Sequence, residues 1–88
     1  MATNLDDIIT LQAGEIALTQ TESEQGISLS ASTEIFGLVA LVSELSDKFS
    51  LGQIVIFNPN NCLQFTYGSG SYYLIKESEI RAIEKPVI

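Results

Sequence analysis

Gln53-Ile54-Val55-Ile56-Phe57-Asn58-Pro59-Asn60-Asn61 is an apolar run stopped by a turn cluster, and its reading decides the fold. Isoleucine, valine and phenylalanine suit the pleated, packed surface of a strand. Proline fixes φ and asparagine tolerates left-handed backbone, so 58–61 reads as a turn. Just beyond it, Leu63, Phe65 and Tyr67 alternate with Gln64 and Thr66, the period of a strand with one buried face. Gly68-Ser69-Gly70 then reads as a hairpin turn, and Ser71-Tyr72-Tyr73-Leu74-Ile75-Lys76 as the return strand.

The same signals extend towards the N-terminus. Ile35-Phe36-Gly37-Leu38-Val39-Ala40-Leu41-Val42 is a continuous apolar run whose β-branched and aromatic content favours a buried strand. Gly37 within it marks a bend or a close backbone approach. Ser43 to Ser50 is polar and short, room for one helical turn or a simple link. Glu15-Ile16-Ala17-Leu18-Thr19-Gln20 alternates as a half-buried strand does. Residues 1–12 read as an N-terminal arm, either frayed or forming an extra turn of structure. At the other end, Ile80 and Ile83 have helical spacing and Glu77 to Arg81 would be a favourable i,i+4 pair, yet 80–84 also reads as a short strand before Pro86. The expectation is a small all-β barrel of five to six short strands spanning residues 13–88.

Between the first two strands the composition changes. Thr21 to Glu34 is rich in Ser, Thr, Glu and Gln, and only Ile27, Leu29 and Ala31 interrupt the polarity. Such a segment buries too little apolar area to offset its ordering entropy, so 21–34 reads as a long mobile loop. Loops of this length in small domains are commonly functional. Inside it stands Gly26-Ile27-Ser28-Leu29. In an extended chain Ile27 and Leu29 point the same way, and Gly26 lets the chain turn tightly before them. Two aliphatic anchors on a flexible loop read as a docking peptide. The competing reading folds both anchors back onto the barrel. Burying both would contribute about 3–6 kcal/mol, and ordering the loop costs about 2–5. One loop roughly breaks even, so docking makes sense when several loops act from one oligomer.

Composition narrows the function classes. The chain has 88 residues, 11 acidic against 4 basic, a net charge of −7. That balance argues against a phosphate-backbone binder and against attraction to an anionic membrane. Phe65, Tyr67, Tyr72 and Tyr73 could stack bases, but only Lys76 stands beside them, so packing is the better reading. Charged residues are 17% of the chain, below the roughly 25% of an average domain. Part of the surface is therefore expected to meet a partner.

With no histidine, imidazole catalysis and His-rich metal sites are excluded, and no metal or cofactor is expected. Glu22, Glu24, Glu77 and Glu79 lie in polar stretches, where carboxylates are solvated rather than catalytic. The serines have no base beyond lysines in polar contexts. Gly68-Ser69-Gly70 lacks the third glycine of a dinucleotide fingerprint, since Tyr73 stands there. The chain does not read as an enzyme. Cys62 is the single cysteine and reads as a small apolar strand residue, in keeping with a reducing cytoplasm. The N-terminus lacks a secretory pattern, and no apolar stretch approaches the ~20 residues of a membrane span.

With these residues in view, the chain resembles the GroES-type co-chaperonins, the ring-shaped lids of chaperonins. Leu51-Gly52-Gln53-Ile54-Val55-Ile56-Phe57-Asn58 looks like the family's Val-Gly-Asp-Ile-Val-Ile-Phe-Asn strand. Tyr73-Leu74-Ile75-Lys76-Glu77-Ser78-Glu79-Ile80-Arg81-Ala82-Ile83 looks like its closing segment, where an aliphatic strand leads to Arg-Glu-Ser-Asp-Ile-Leu-Ala-Ile. Glu15 to Gln20 matches its first barrel strand. Gly26-Ile27-Ser28-Leu29 falls where the family carries a Gly-Ile-Val-Leu type motif in its mobile loop. Gly37 to Val42 falls where a glycine leads into an apolar strand.

The resemblance implies a homo-oligomeric ring, usually heptameric, whose neighbours pair through terminal strands. It implies docking of Gly26, Ile27, Ser28 and Leu29 on a nucleotide-bound GroEL-type chaperonin, closing a chamber in which a client protein folds. Three departures carry expectations of their own. The loop is short and Ser28 replaces the middle aliphatic residue, which weakens each contact. The link from Ser43 to Leu51 is too short for the family's roof hairpin, which implies an open-topped ring. Ala13-Gly14-Glu15 resembles the roofless co-chaperonins of large phages, which implies a phage origin and a host-cytoplasmic location. The rival reading is a small oligomeric β-barrel with a structural or assembly role and no chaperonin partner.

Overall fold

The computed structural model describes residues 5–30 and 33–87. Residues 31 and 32 of the expected loop, 1–4 of the expected arm, and 88 lie outside that description.

Six strands follow in chain order: β1 Glu15–Thr21, β2 Ile35–Val42, β3 Ile54–Phe57, β4 Leu63–Tyr67, β5 Gly70–Lys76 and β6 Ala82–Glu84. Between β3 and β4, the Asn58 side chain accepts from the Asn60 N–H at 2.9 Å and Pro59–Asn61 makes a 3-10 turn. Proline at the start of that turn loses no hydrogen bond, because its missing N–H would have been unpaired there. β4 and β5 form the expected hairpin, with Tyr67 opposite Gly70 and Gly68 at φ 61.

All pairings are antiparallel, in the order β4-β5-β1-β2-β3-β6. Among the described residues no α-helix occurs, so none is long and apolar enough to cross a membrane. The fold is all-β and barrel-like. The sheet curls around its core without closing, and β4 and β6 are its two edges.

Register places the core. Ile16, Leu18, Val39, Val55, Phe57 and Ile75 converge on the inner face, joined by Phe49 from the β2–β3 link. Phe57, Ile16, Leu18 and Val55 are fully buried, each contributing about 1.5–3 kcal/mol. Tyr73 meets Phe57 edge-on at 5.2 Å. β2 bulges at Ala40, since Ala17 pairs with Leu41 and Leu18 with Val39. A bulge bends its strand, in keeping with the curl.

Two sequence expectations are corrected, for β1 and for the 43–50 link, and two open alternatives, for the N-terminal segment and the tail, are resolved. β1 is not half-buried: Ile16, Ala17 and Leu18 are all sealed, because Leu5 and Leu11 cover the outer face over Ala17 and Leu41. Residues 5–12 thus form the extra turn rather than a frayed arm, with Leu5–Asp7 in a 3-10 turn. The 43–50 link is not merely polar, since its Phe49 is buried. The tail is a 3-10 turn, Glu77–Glu79, then β6, so Glu77 and Arg81 are not a helical pair. The first strand also has both flanks filled, by β2 and β5, so it offers no free edge to a neighbour.

Candidate docking loop

The loop leaves β1 at Thr21 and is fastened at once. Ser23 Oγ donates to Glu84 Oε2 on β6, and the Glu24 N–H donates to Glu84 Oε1 at 2.8 Å. Gln25 Nε2 donates to the Lys85 carbonyl at 2.9 Å. β6 lies three places along the sheet from β1, so the chain passes β2 and β3 to reach it. The returning limb is tied to the residue just before that strand, with Arg81 Nε 3.0 Å from Glu34 Oε2. The Arg81 side chain is 70% exposed, so that ion pair contributes little.

Ser23 is the hub. Its Oγ accepts from the Gln25 N–H at 3.2 Å and the Ile27 N–H at 2.9 Å. Closing this small ring requires a reversal, which Gly26 supplies at φ 81, with open space where a Cβ would be. Ile27 then stands 44% exposed, and Ser28 is exposed beside it. Leu29 is half-buried, and it lines with Ile35 and Phe36 a hollow of about 480 Å³ under the loop. Ile27 lines the same hollow, so both expected anchors border it, Ile27 the more exposed and Leu29 the more covered.

Among the described residues no group of three or more His, Cys, Asp or Glu could hold a metal. Cys62 is not within a strand. It ends the 58–62 turn, with its thiol 3.4 Å from the Asn58 carbonyl. Burial, and to a lesser degree the charge of Glu79, push that thiol up to about 11. It is a poor nucleophile.

Sequence reasoning found the loop and its glycine but missed Glu84 and Ser23. Glu84 reads as one more charge in a polar tail, yet it is 7% exposed. Its partners lie some sixty positions away, and no local spacing announces them. No protein-family model matches the chain, and no curated protein matches it.

Proposed function

We propose that the chain is a co-chaperonin that docks on a nucleotide-bound GroEL-type chaperonin through Gly26, Ile27, Ser28 and Leu29 and caps its folding chamber. The observation that carries this reading is Ile27, a large aliphatic side chain 44% exposed directly after the reversal at Gly26. An isolated exposed isoleucine is unremarkable on a strand. On a braced loop of mostly polar residues, at the rim of the hollow that Leu29, Ile35 and Phe36 also line, its exposed part is available as an anchor.

The assembly proposed is a homo-oligomer, most simply a heptameric ring, enclosing a client protein. Two open sheet edges on one subunit support this, because unpaired edges invite covering. The 43–53 link folds back on β2, with the Val39 N–H on the Gln53 carbonyl at 2.8 Å, and no roof hairpin rises there. This supports an open-topped ring of the kind large phages encode, acting in the host cytoplasm.

The test is co-elution. The purified chain is mixed with a bacterial chaperonin, with ATP, ADP or no nucleotide, and run on a sizing column with light scattering. The reading expects a ring alone and a larger complex only with nucleotide. A ring that never co-elutes with chaperonin would move the protein to the structural or assembly class.

A further inference from the structure

We propose that Glu84 is a positioning residue for the docking loop: its buried carboxylate orients Ser23, and Ser23 orients the amide of Ile27. This rests on the docking reading for its purpose, but the latch itself is defined within the free protein.

The chain of contacts is continuous. Glu84 sits on β6 opposite Ile54 of β3, so its backbone is set by the sheet. Both its oxygens are engaged by the loop, one by Ser23 Oγ–H and the other by the Glu24 N–H. A serine hydroxyl has one proton and two lone pairs. Because the proton is committed to Glu84, both lone pairs are left for the Gln25 and Ile27 amides. The carboxylate thus chooses the hydroxyl rotamer, and a charged acceptor polarises the hydroxyl into a better acceptor itself. A neutral Gln at 84 would offer only one acceptor oxygen to two donors.

The consequence is that Ile27 is presented from a braced turn rather than from a free coil. Bracing removes part of the ordering cost of binding. The sequence expectation of a weak contact, from Ser28 in place of an aliphatic residue, is thereby partly offset.

Residue-resolved amide exchange of the free protein tests the latch, comparing wild type with Glu84→Gln, Ser23→Ala and a control outside the loop, Ser69→Ala, at an exposed position in the β4–β5 turn. The amides of Gln25 and Ile27 should exchange about tenfold faster in the first two variants, as loss of a charge-assisted network implies. The Val39 amide, bonded to Gln53, and the Ser69→Ala protein should match wild type. If Ile27 in wild type exchanges as fast as in Ser23→Ala, the latch does not exist. If Glu84→Gln speeds Val39 and Ile27 alike, Glu84 is a structural residue and the proposal fails. Should that variant not fold, Ser23→Ala decides alone.

Chaperonin co-elution of the same proteins tests the purpose. Both latch variants should bind more weakly than wild type. Freed loop amides with unchanged binding would overturn the positioning role. Wild type that never binds chaperonin would sink the docking reading, while the exchange pattern still decides the latch.

Discussion

Gly37 faces the ring of Phe57 so closely that a Cβ built on it would stand 2.6 Å from Phe57 Cε1 and 3.2 Å from the Cβ of Leu18. The two residues sit on neighbouring strands, Phe57 is fully buried, and Tyr73 packs edge-on against its ring. The ring therefore has little room to give. Gly37→Ala should cost about 1–3 kcal/mol by overpacking, a fall of several degrees in thermal unfolding. Phe57→Leu in the same chain should recover part of that loss in a double-mutant cycle. Additive losses would place the strain elsewhere.

Ile27→Ser should leave thermal stability within about 0.5 kcal/mol of wild type, as an exposed position does. It should also abolish nucleotide-dependent co-elution with chaperonin. Leu29→Ser should weaken binding and lower stability slightly, because that side chain is half-buried. A double variant that binds normally rules out this loop as the contact.

Leu11→Ala should cost about 2–3 kcal/mol, the lower part of the usual range, because its cluster borders solvent. Leu11 and Leu5 are the cover over Ala17 and Leu41. Denaturant unfolding measures it. A loss below about 0.5 kcal/mol would mean the N-terminal segment does not hold its place.

Leu63 is 64% exposed on the edge strand β4, beside the half-buried Phe65. Leu63→Lys puts a charge where natural sheets block edge pairing. The proposed assembly should shift towards monomer in light scattering, with the far-ultraviolet spectrum unchanged. A ring that survives intact would mean β4 is not a subunit contact.

Cys62 should resist thiol reagents at pH 8 in the folded protein and react freely on unfolding. Its folded pKa of about 11 exceeds the ordinary 9.0, so the folded state holds its proton more tightly. The associated stability is complete below about pH 9 and is lost as pH rises towards 11. Cys62→Ala should flatten that part of the stability profile.

Much of this architecture is legible from side-chain pattern alone, and the exceptions have physical causes. The runs at Ile35–Val42 and Ile54–Phe57 are continuous because both faces of those strands are largely covered, and continuous runs are hard to miss. Gly68 and Ser69 declare a hairpin because a tight turn needs that chemistry. Leu5 and Leu11 carry no period, since they lie in a turn and an irregular stretch. Phe49 is one apolar residue in a polar link. Glu84 is hidden most deeply: its burial is created by a loop that precedes it by about sixty positions, and only the folded chain brings them together.

The placement of β1 also bears on how the chain is made. Glu15 pairs with Lys76, about sixty positions later, and β2, β3 and β4 are made in between. At about 5–20 residues per second of synthesis, β1 leaves the ribosome several seconds before its partner β5 exists. For that interval one flank of the future centre of the sheet is unpaired, and Ile16 and Leu18 lack the hairpin that covers them. Pairing of β1 with β5 therefore waits until the last third of these residues has been made, and a truncation before Lys76 leaves one flank of β1 unpaired, with Ile16 and Leu18 short of their cover.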